Sequence, residues 1–296
     1  MRLLVTGGGG QIGRAVSAAA RARGFDVTAP ARAALDIVDA AAVARAFDAT
    51  RPEAVVNCAA LTAVDRAEGE RELAFAVNAE AAGRLARLCA SRGVKLVHLS
   101  TDYVFDGAEP GPYREDDPPS PLNVYGASKL AGELAVAAAG AAHVVVRTSW
   151  VFAAEGRNFL RTMLRLGRTR GEVAVVDDQV GCPTAASDVA TATLVALRGL
   201  AGGGSVPALV HYCGAEAMSW HGFARAIFAA ASPLGFPCPT LRAIATRDFP
   251  TPARRPANSV LDCSLGVAAF GFVRRNLAAS LAENLPAALA ADQREG

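Results

Sequence analysis

The chain opens on a short apolar run, Arg2 to Thr6, that leads directly into Gly7-Gly8-Gly9-Gly10-Gln11-Ile12-Gly13. This feature constrains the fold most tightly. A strand that ends in glycines and restarts as a helix is the opening turn of a nucleotide-binding β-α-β unit. Backbone N–H groups and the helix dipole can meet a pyrophosphate there, and side chains would block its approach. Two registers fit. Gly8, Gly10 and Gly13 satisfy G-x-G-x-x-G, and Gly7, Gly10 and Gly13 satisfy G-x-x-G-x-x-G.

Strand and helix patterns then alternate. A helix is predicted from Gln11 to about Arg23, closed by Gly24, and a second strand over Val27 to Ala29, with Asp26 ahead of it. Ala54 to Cys58 reads as a third strand, Arg71 to Arg92 as one long alanine-rich helix, Val94 to Ser100 as a fourth strand and Val144 to Arg147 as a further one. The fold class that follows is α/β, a doubly wound parallel sheet of Rossmann type. It is expected over 1–150 as a dinucleotide-binding domain, with 183–200 returning to it. Residues 151–182 and 201–296 are expected to form a smaller, less regular substrate lobe. They hold a Gly-rich loop at 202–207 and three prolines each in 232–239 and 250–256. The last six residues read as frayed.

Charge excludes some functions. Thirty Lys and Arg against 28 Asp and Glu leave a net charge of +2, spread along the chain, so neither a nucleic-acid tract nor a membrane-surface helix is expected. No apolar run approaches the ~20 residues of a membrane span, and no signal peptide is expected, with only Leu3-Leu4-Val5 ahead of the glycines. Six cysteines without a C-x-x-C pair read as free thiols in a reducing compartment, hence a cytoplasmic protein. The four histidines show no metal-ligand spacing, so no metal site is expected.

The second informative segment is Tyr125-Gly126-Ala127-Ser128-Lys129. A free tyrosine titrates at about 10 and is a sluggish proton donor near neutrality. A lysine four residues on shares its helix face, where it would lower the Tyr125 pKa and reach a nicotinamide ribose. Thr101, at the end of the fourth strand, would complete a Thr-Tyr-Lys proton-transfer site at the carboxyl edge of the sheet. Arg32, just past the second strand, suits a 2′-phosphate and so NADPH; a solvated surface arginine is the alternative. Asp36-Ile37 would border the adenine, and Asp36 would leave NADH possible. Asp116-Asp117 and Asp177-Asp178 read as loop charges or caps. No Ser-His-Asp constellation or nucleophile elbow is present.

Ser100-Thr101-Asp102-Tyr103-Val104-Phe105-Asp106-Gly107 and Val124-Tyr125-Gly126-Ala127-Ser128-Lys129-Leu130-Ala131-Gly132-Glu133 resemble the extended short-chain dehydrogenase/reductase superfamily, and within it the dTDP-4-dehydrorhamnose reductase family. Segments at 35–39, 59–65, 147–152, 178–184 and 254–259 carry the resemblance over nearly the whole chain. It implies NADPH-dependent reduction of the 4-keto group of a nucleotide-sugar by a monomer or homodimer. It also implies that Gly10, Gln11 and Ile12 meet the cofactor pyrophosphate and that Asp36, Ile37, Ala59, Ala60 and Leu61 line its adenine and ribose side. Tyr125 and Lys129 would meet the nicotinamide, and Thr101, Asp102 and Trp150 the nucleotide-sugar. Arg254 and Arg255 would serve as diphosphate partners, a guanidinium fork matching phosphate oxygens; a structural ion pair is the alternative for one of them.

There are departures. Ala15 stands where some relatives carry an acidic residue linked to a metal-dependent dimer, which weakens any expectation of Mg²⁺. Leu61 replaces a more usual polar or aromatic residue, a change tolerated if its backbone makes the contact. Two other activities stay open. A related nucleotide-sugar dehydratase or epimerase would need a second carboxylate after Thr101-Asp102, where Tyr103 stands. A non-catalytic NADP-binding regulatory subunit, resembling the methionine adenosyltransferase beta subunit, would lack the Thr-Tyr-Lys set.

Overall fold

Alternating apolar residues on six strands supply two helical layers from one sheet. The computed structural model describes residues 1–203 and 205–295, without the side chains of 292–295; the expected fraying of the last six residues is not seen, since 291–295 continue the helix Leu277–Glu295, and 296 lies outside the described residues. The strands β1 (Arg2–Thr6), β2 (Asp26–Thr28), β3 (Ala54–Asn57), β4 (Lys95–Thr101), β5 (His143–Thr148) and β6 (Leu209–His211) form one all-parallel sheet. Its order is β6-β5-β4-β3-β1-β2. The helices that cover it are α1 (Gln11–Ala22), α2 (Ala40–Thr50), α3 (Ala82–Arg92), α4 (Val124–Ala137) and α5 (Ala186–Ala201).

Leu3, Val5, Val56, Val97, Val144 and Val146 face one way, into a core closed by α1 and α5. Leu4, Val55, Leu96 and Val145 face the other way, against Val43 and Phe47 of α2 and Leu85 and Cys89 of α3. Period-two alternation on strands covered on both faces gives these apolar runs. The chain leaves β1 toward β2 on one side and reaches β3 on the other. The switch point, where ligands bind in open α/β sheets, therefore lies between β1 and β3 at their carboxyl ends.

Three details differ from the sequence expectations. Asp26 is the first residue of β2, because its N–H bonds the carbonyl of Met1 at 3.1 Å and its position pairs with Arg2. β6 lies in the stretch assigned to the substrate lobe but pairs with β5 as the sheet's edge strand. The helix expected over 71–92 is an α-helix at Arg71–Phe75, a π-helical turn at Ala76–Ala81, and then α3. π-turns inside helices often accompany functional sites. This one turns Asn78 toward the loop after β3, where its Nδ2 donates to Leu61 O at 3.1 Å and its Oδ1 accepts from Leu61 N at 2.8 Å.

A second core gathers Phe152, Leu160, Leu164, Phe223, Ile227 and Leu281. It is built from helices Phe159–Thr169, Trp220–Ala231 and Leu277–Glu295 over a parallel strand pair, Glu172–Val176 with Thr240–Ile244. Among the described residues, no helix is long and apolar enough to cross a membrane, and no cluster of three or more His, Cys, Asp or Glu is arranged to hold a metal ion. All six cysteines are free.

Candidate active site

The glycine turn is forced by its neighbours. Gly7 has φ +68°, and a Cβ on it would stand 2.7 Å from the Ala59 backbone. A Cβ on Gly13 would stand 2.2 Å from Gly7 O, so α1 can start this close to β1 only with glycine there. Gly10 differs. It is the N-cap of α1 with no side-chain cap, and a Cβ on it would meet only Gly7 O, at 3.3 Å. Its bareness leaves the uncapped N–H groups of the helix open to the cleft.

Two cavities meet at this turn. One of about 590 Å³ runs over Gly7, Gly9 and Gly10 to Arg32, Asp36, Ile37, Ala59, Ala60 and Leu61. The other, of about 380 Å³, runs from Gly10, Gln11, Ile12 and Gly13 to Thr101, Asp102, Tyr125, Lys129, Trp150 and Trp220. Gly10, Cys58, Ala60 and Thr62 line both. The adenine-side residues thus share the first cavity, and the Thr-Tyr-Lys set shares the second. A bare glycine cradle, an uncapped helix start and an adjoining pocket fit a nicotinamide dinucleotide. So do the buried and unpartnered Ser100 Oγ, Thr148 Oγ1 and Asp102 Oδ2 in that pocket.

Tyr125 and Lys129 both sit on α4, whose start is capped by Asn123, the Oδ1 accepting from Gly126 N at 2.8 Å. A Cβ on Gly132 would fall 2.1 Å from Asn78 O, so glycine lets α4 lie directly on the π-turn. Tyr125 packs edge-on to Tyr103, with ring centroids 5.9 Å apart. Its hydroxyl departs from the expected lowering. Burial pushes its pKa up to about 12, with a hydrogen bond to Thr101 acting in the opposite sense. Lys129 does not relieve this, because its Nζ is turned into the protein, 2.6 Å from Leu99 O and 3.4 Å from His98 Nε2.

Thr101 Oγ1 donates to Asp102 Oδ1 at 2.9 Å. Burial pushes the Asp102 carboxyl up to about 7, with the nearby Ser259 hydroxyl and the bond from Thr101 opposing the rise. Trp150 has φ +46°, unusual for a bulky residue. Its ring stacks on Trp220 with centroids 3.4 Å apart, and a Cβ on Gly181 would strike it at 2.3 Å. Gln11 bridges the glycine turn to the second core. Its Oε1 accepts from Asn158 Nδ2 at 2.8 Å and its Nε2 donates to Arg157 O at 3.2 Å.

Other expected residues sit elsewhere. Arg32 pairs with Asp36 at 3.2 Å on the rim of the larger cavity, both side chains exposed. Arg254 and Arg255 line a separate cavity of about 470 Å³ with Gln179 and Thr246. Arg255 bonds Asp65, at 3.0 and 2.8 Å, as well as Thr251 and Ala253 O, which is the ion pair given as the alternative for one of the two arginines. Leu61 buries its side chain beside Ile37 and Val77, and Asn78 holds its backbone. Asp117 and Asp178 act as local acceptors, for Arg114 N and Thr246. Sequence reasoning missed Trp220, Asn57, Asn78 and His98. His98, a polar residue inside the apolar run Leu96-Val97-His98-Leu99, and Asn57, inside Val55-Val56-Asn57-Cys58-Ala59, left a local signal; Trp220 and Asn78 did not.

A family model, the RmlD substrate binding domain, matches residues 1–289. The chain belongs to this family. A dTDP-4-dehydrorhamnose reductase of Burkholderia thailandensis is 47% identical over 269 residues, covering 88% of this chain and 90% of the relative. One of Sinorhizobium fredii is 43% identical over 273 residues, 92% of each. A crystal structure of the Bacillus anthracis dTDP-4-dehydrorhamnose reductase in complex with NADP superposes with a TM-score of 0.88 at 34% identity, covering 96% of this chain and 98% of that one. Membership in the RmlD family agrees with the placement of Thr101, Tyr125 and Lys129 around one pocket beside the glycine turn.

Proposed function

We propose that this chain is an NADPH-dependent reductase that converts the 4-keto group of dTDP-4-dehydro-L-rhamnose to the alcohol of dTDP-L-rhamnose. The observation that carries the reading is that Thr101, Tyr125 and Lys129 line one cavity with Gly10, Gln11 and Ile12. Gly10 and the α1 N-terminus would hold the pyrophosphate, Arg32 the 2′-phosphate, and Ile37 and Ala59 to Leu61 the adenosine side. When bound, the cofactor supplies the hydride. Thr101 turns its one hydroxyl hydrogen from Asp102 to the keto oxygen and polarises it. The Tyr125 hydroxyl gives its proton to the oxygen that gains charge; burial works against this step by disfavouring the phenolate, and the Thr101 hydroxyl beside it works in its favour. Lys129 returns a proton to Tyr125. Asp102 and Trp150 hold the sugar, and Arg254 remains for the diphosphate. Free thiols fit a reducing compartment, and we place the reaction in the cytoplasm.

The dehydratase and epimerase alternative lacks its second carboxylate, since Tyr103 follows Asp102 and packs on Tyr125. The test is NADPH oxidation followed at 340 nm with dTDP- and UDP-linked 4-keto sugars side by side. Oxidation with the dTDP sugar, and weaker oxidation with the UDP sugar, is expected. No oxidation with any 4-keto nucleotide-sugar would overturn the reading.

A further inference from the structure

A line of buried polar groups runs beneath the site, from Thr6 on β1 through Asn57 on β3 and His98 on β4 to Lys129 on α4. Asn57, His98 and Lys129 are all 1–2% exposed. Asn57 and His98 are register partners on adjacent parallel strands, which brings their side chains together. The direction of each bond can be read. Ala59 N–H donates to Asn57 Oδ1 at 3.2 Å, and Thr6 Oγ1 donates to the same oxygen at 2.7 Å. A backbone N–H can only donate, so the amide is oriented with Nδ2 toward His98. Asn57 Nδ2 lies 3.0 Å from His98 Nδ1 and must donate to it. His98 Nδ1 therefore carries the lone pair, and the hydrogen of the neutral ring sits on Nε2, 3.4 Å from Lys129 Nζ.

This is an unusual neighbour for a lysine. An ammonium has three donors and no acceptor, so it cannot accept from His98 Nε2–H. The neutral amine can. It accepts from Nε2–H through its lone pair while still donating to Leu99 O at 2.6 Å. We propose that His98 is a positioning residue for Lys129: its Nε2–H, aimed by Asn57, favours the uncharged amine and so makes the ammonium a ready donor of its proton to Tyr125. In the reduction, Tyr125 O–H gives its proton to the new alkoxide, the phenolate is reprotonated through water from the Lys129 ammonium, whose Nζ lies inside the protein, and the amine left behind accepts from His98. Solvent then returns the proton to Lys129.

The surroundings agree. Burial lowers the Lys129 ammonium to about 8, against opposing contributions from Glu133 on its own helix and Cys58 after β3. The Glu133 carboxylate is held by Arg147 at 2.7 Å. Burial and nearby Lys129 keep the His98 imidazole well below its usual range, so it stays neutral. Composition points the same way. The 30 cationic side chains comprise only two lysines, Lys95 and Lys129. An arginine cannot release its proton in this range, whereas the lysine at position 129 can.

The two lysines make the test direct. The full-length chain, labelled with ¹³C at the lysine ε-carbon, gives one signal from Lys129 and one from Lys95 as internal reference. The Lys129 midpoint is expected well below that of Lys95. In His98→Gln, which offers an amide oxygen to the amine, and in His98→Asn, which keeps an acceptor for Asn57 but withdraws the N–H, it should rise by at least one pH unit, about tenfold in proton affinity. An unchanged or lower midpoint in a folded variant would overturn the proposal. If neither variant folds, the ¹⁵N spectrum of the wild-type imidazoles decides. A lone pair on His98 Nδ1 supports it, and an Nδ1–H tautomer overturns it. The proposal deepens the reductase reading, but these measurements use no substrate, so they succeed or fail apart from the choice of sugar.

Discussion

Arg255 closes on Asp65 through two parallel bonds, Nη1 to Oδ1 at 3.0 Å and Nη2 to Oδ2 at 2.8 Å. The pair ties the proline-rich loop at 250–256 to the short helix Val64–Gly69 that follows the β3 loop. The Arg255 neighbour also holds the Asp65 carboxyl below its usual range.

Arg255→Ala should therefore act on stability. Each hydrogen bond to a charged group contributes about 1.5–3 kcal/mol; the half-exposed Asp65 side chain reduces this, so a loss of about 1–3 kcal/mol is expected in urea unfolding. Arg255→Lys should recover little, because a point charge cannot reproduce the fork. A variant as stable as wild type but with a raised KM for the nucleotide-sugar would return Arg255 to the diphosphate.

Tyr125→Phe removes only a hydroxyl from a ring that packs on Tyr103. Turnover should fall about 10²–10⁴-fold, the usual contribution of a general acid. NADPH affinity by fluorescence titration should stay within a few-fold of wild type. Turnover close to wild type would remove Tyr125 from proton transfer.

Much of this site was legible before the structure, for a physical reason. The glycine turn and the Tyr-Lys pair are local devices, each set by spacing within a single element, and each stands where expected. What escaped depends on contacts between distant segments. Asn78 reaches Leu61 only because a π-turn rotates it, and no residue pattern in the alanine-rich run marks that turn. Trp220 meets Trp150 across seventy residues. The expected lowering of the Tyr125 pKa failed because helical spacing says which face Lys129 shares, whereas burial and the Leu99 carbonyl decide where its Nζ points. The edge strand at 209–211 escaped because three residues carry no period.

Asp102 predicts a pH dependence of stability. Its carboxyl is pushed up to about 7 in the fold by burial, from an ordinary value near 3.9 in the unfolded chain. The folded state binds the proton more tightly, so this contribution is fully present below about pH 4 and is lost as pH rises through about 7. The loss is at most on the order of 4 kcal/mol. Asp102→Asn should lack this dependence, so its stability relative to wild type should improve between pH 5 and pH 8 in denaturant titrations. A difference that does not vary with pH would place the carboxylate in contact with solvent.

Gly10 and Gly13 should separate folding from cofactor binding. A Cβ on Gly13 collides with Gly7 O at 2.2 Å, so Gly13→Ala should destabilise the chain as an overpacked core site does, by about 1–3 kcal/mol or more. A Cβ on Gly10 meets only Gly7 O, at 3.3 Å, a tight contact that a shift of a few tenths of an ångström relieves, so Gly10→Val should fold with a smaller loss of stability than Gly13→Ala yet lose NADPH binding, as the branched side chain stands before the helix N-terminus. Calorimetry showing unchanged NADPH affinity in folded Gly10→Val would move the pyrophosphate elsewhere.

Cofactor choice turns on Arg32 and Asp36, which hold each other at 3.2 Å on the rim of the larger cavity. Both side chains are exposed, and such a pair contributes about 0–1 kcal/mol, so breaking it costs little. A charge-assisted bond from Arg32 to a 2′-phosphate contributes about 1.5–3 kcal/mol, or roughly 10–150-fold in affinity. NADPH should accordingly be preferred. Arg32→Ala should lower kcat/KM for NADPH by roughly tenfold or more. With NADH it should change little or improve, because Asp36 is freed to accept from the ribose hydroxyls, the role an acidic residue takes in NAD-binding folds. An equal loss with both cofactors would mean that Arg32 acts through the position of the 31–36 loop. No change with either would make it a solvated surface arginine and leave the 2′-phosphate to another cation on that rim, with Arg66, which also lines the cavity, the next to substitute.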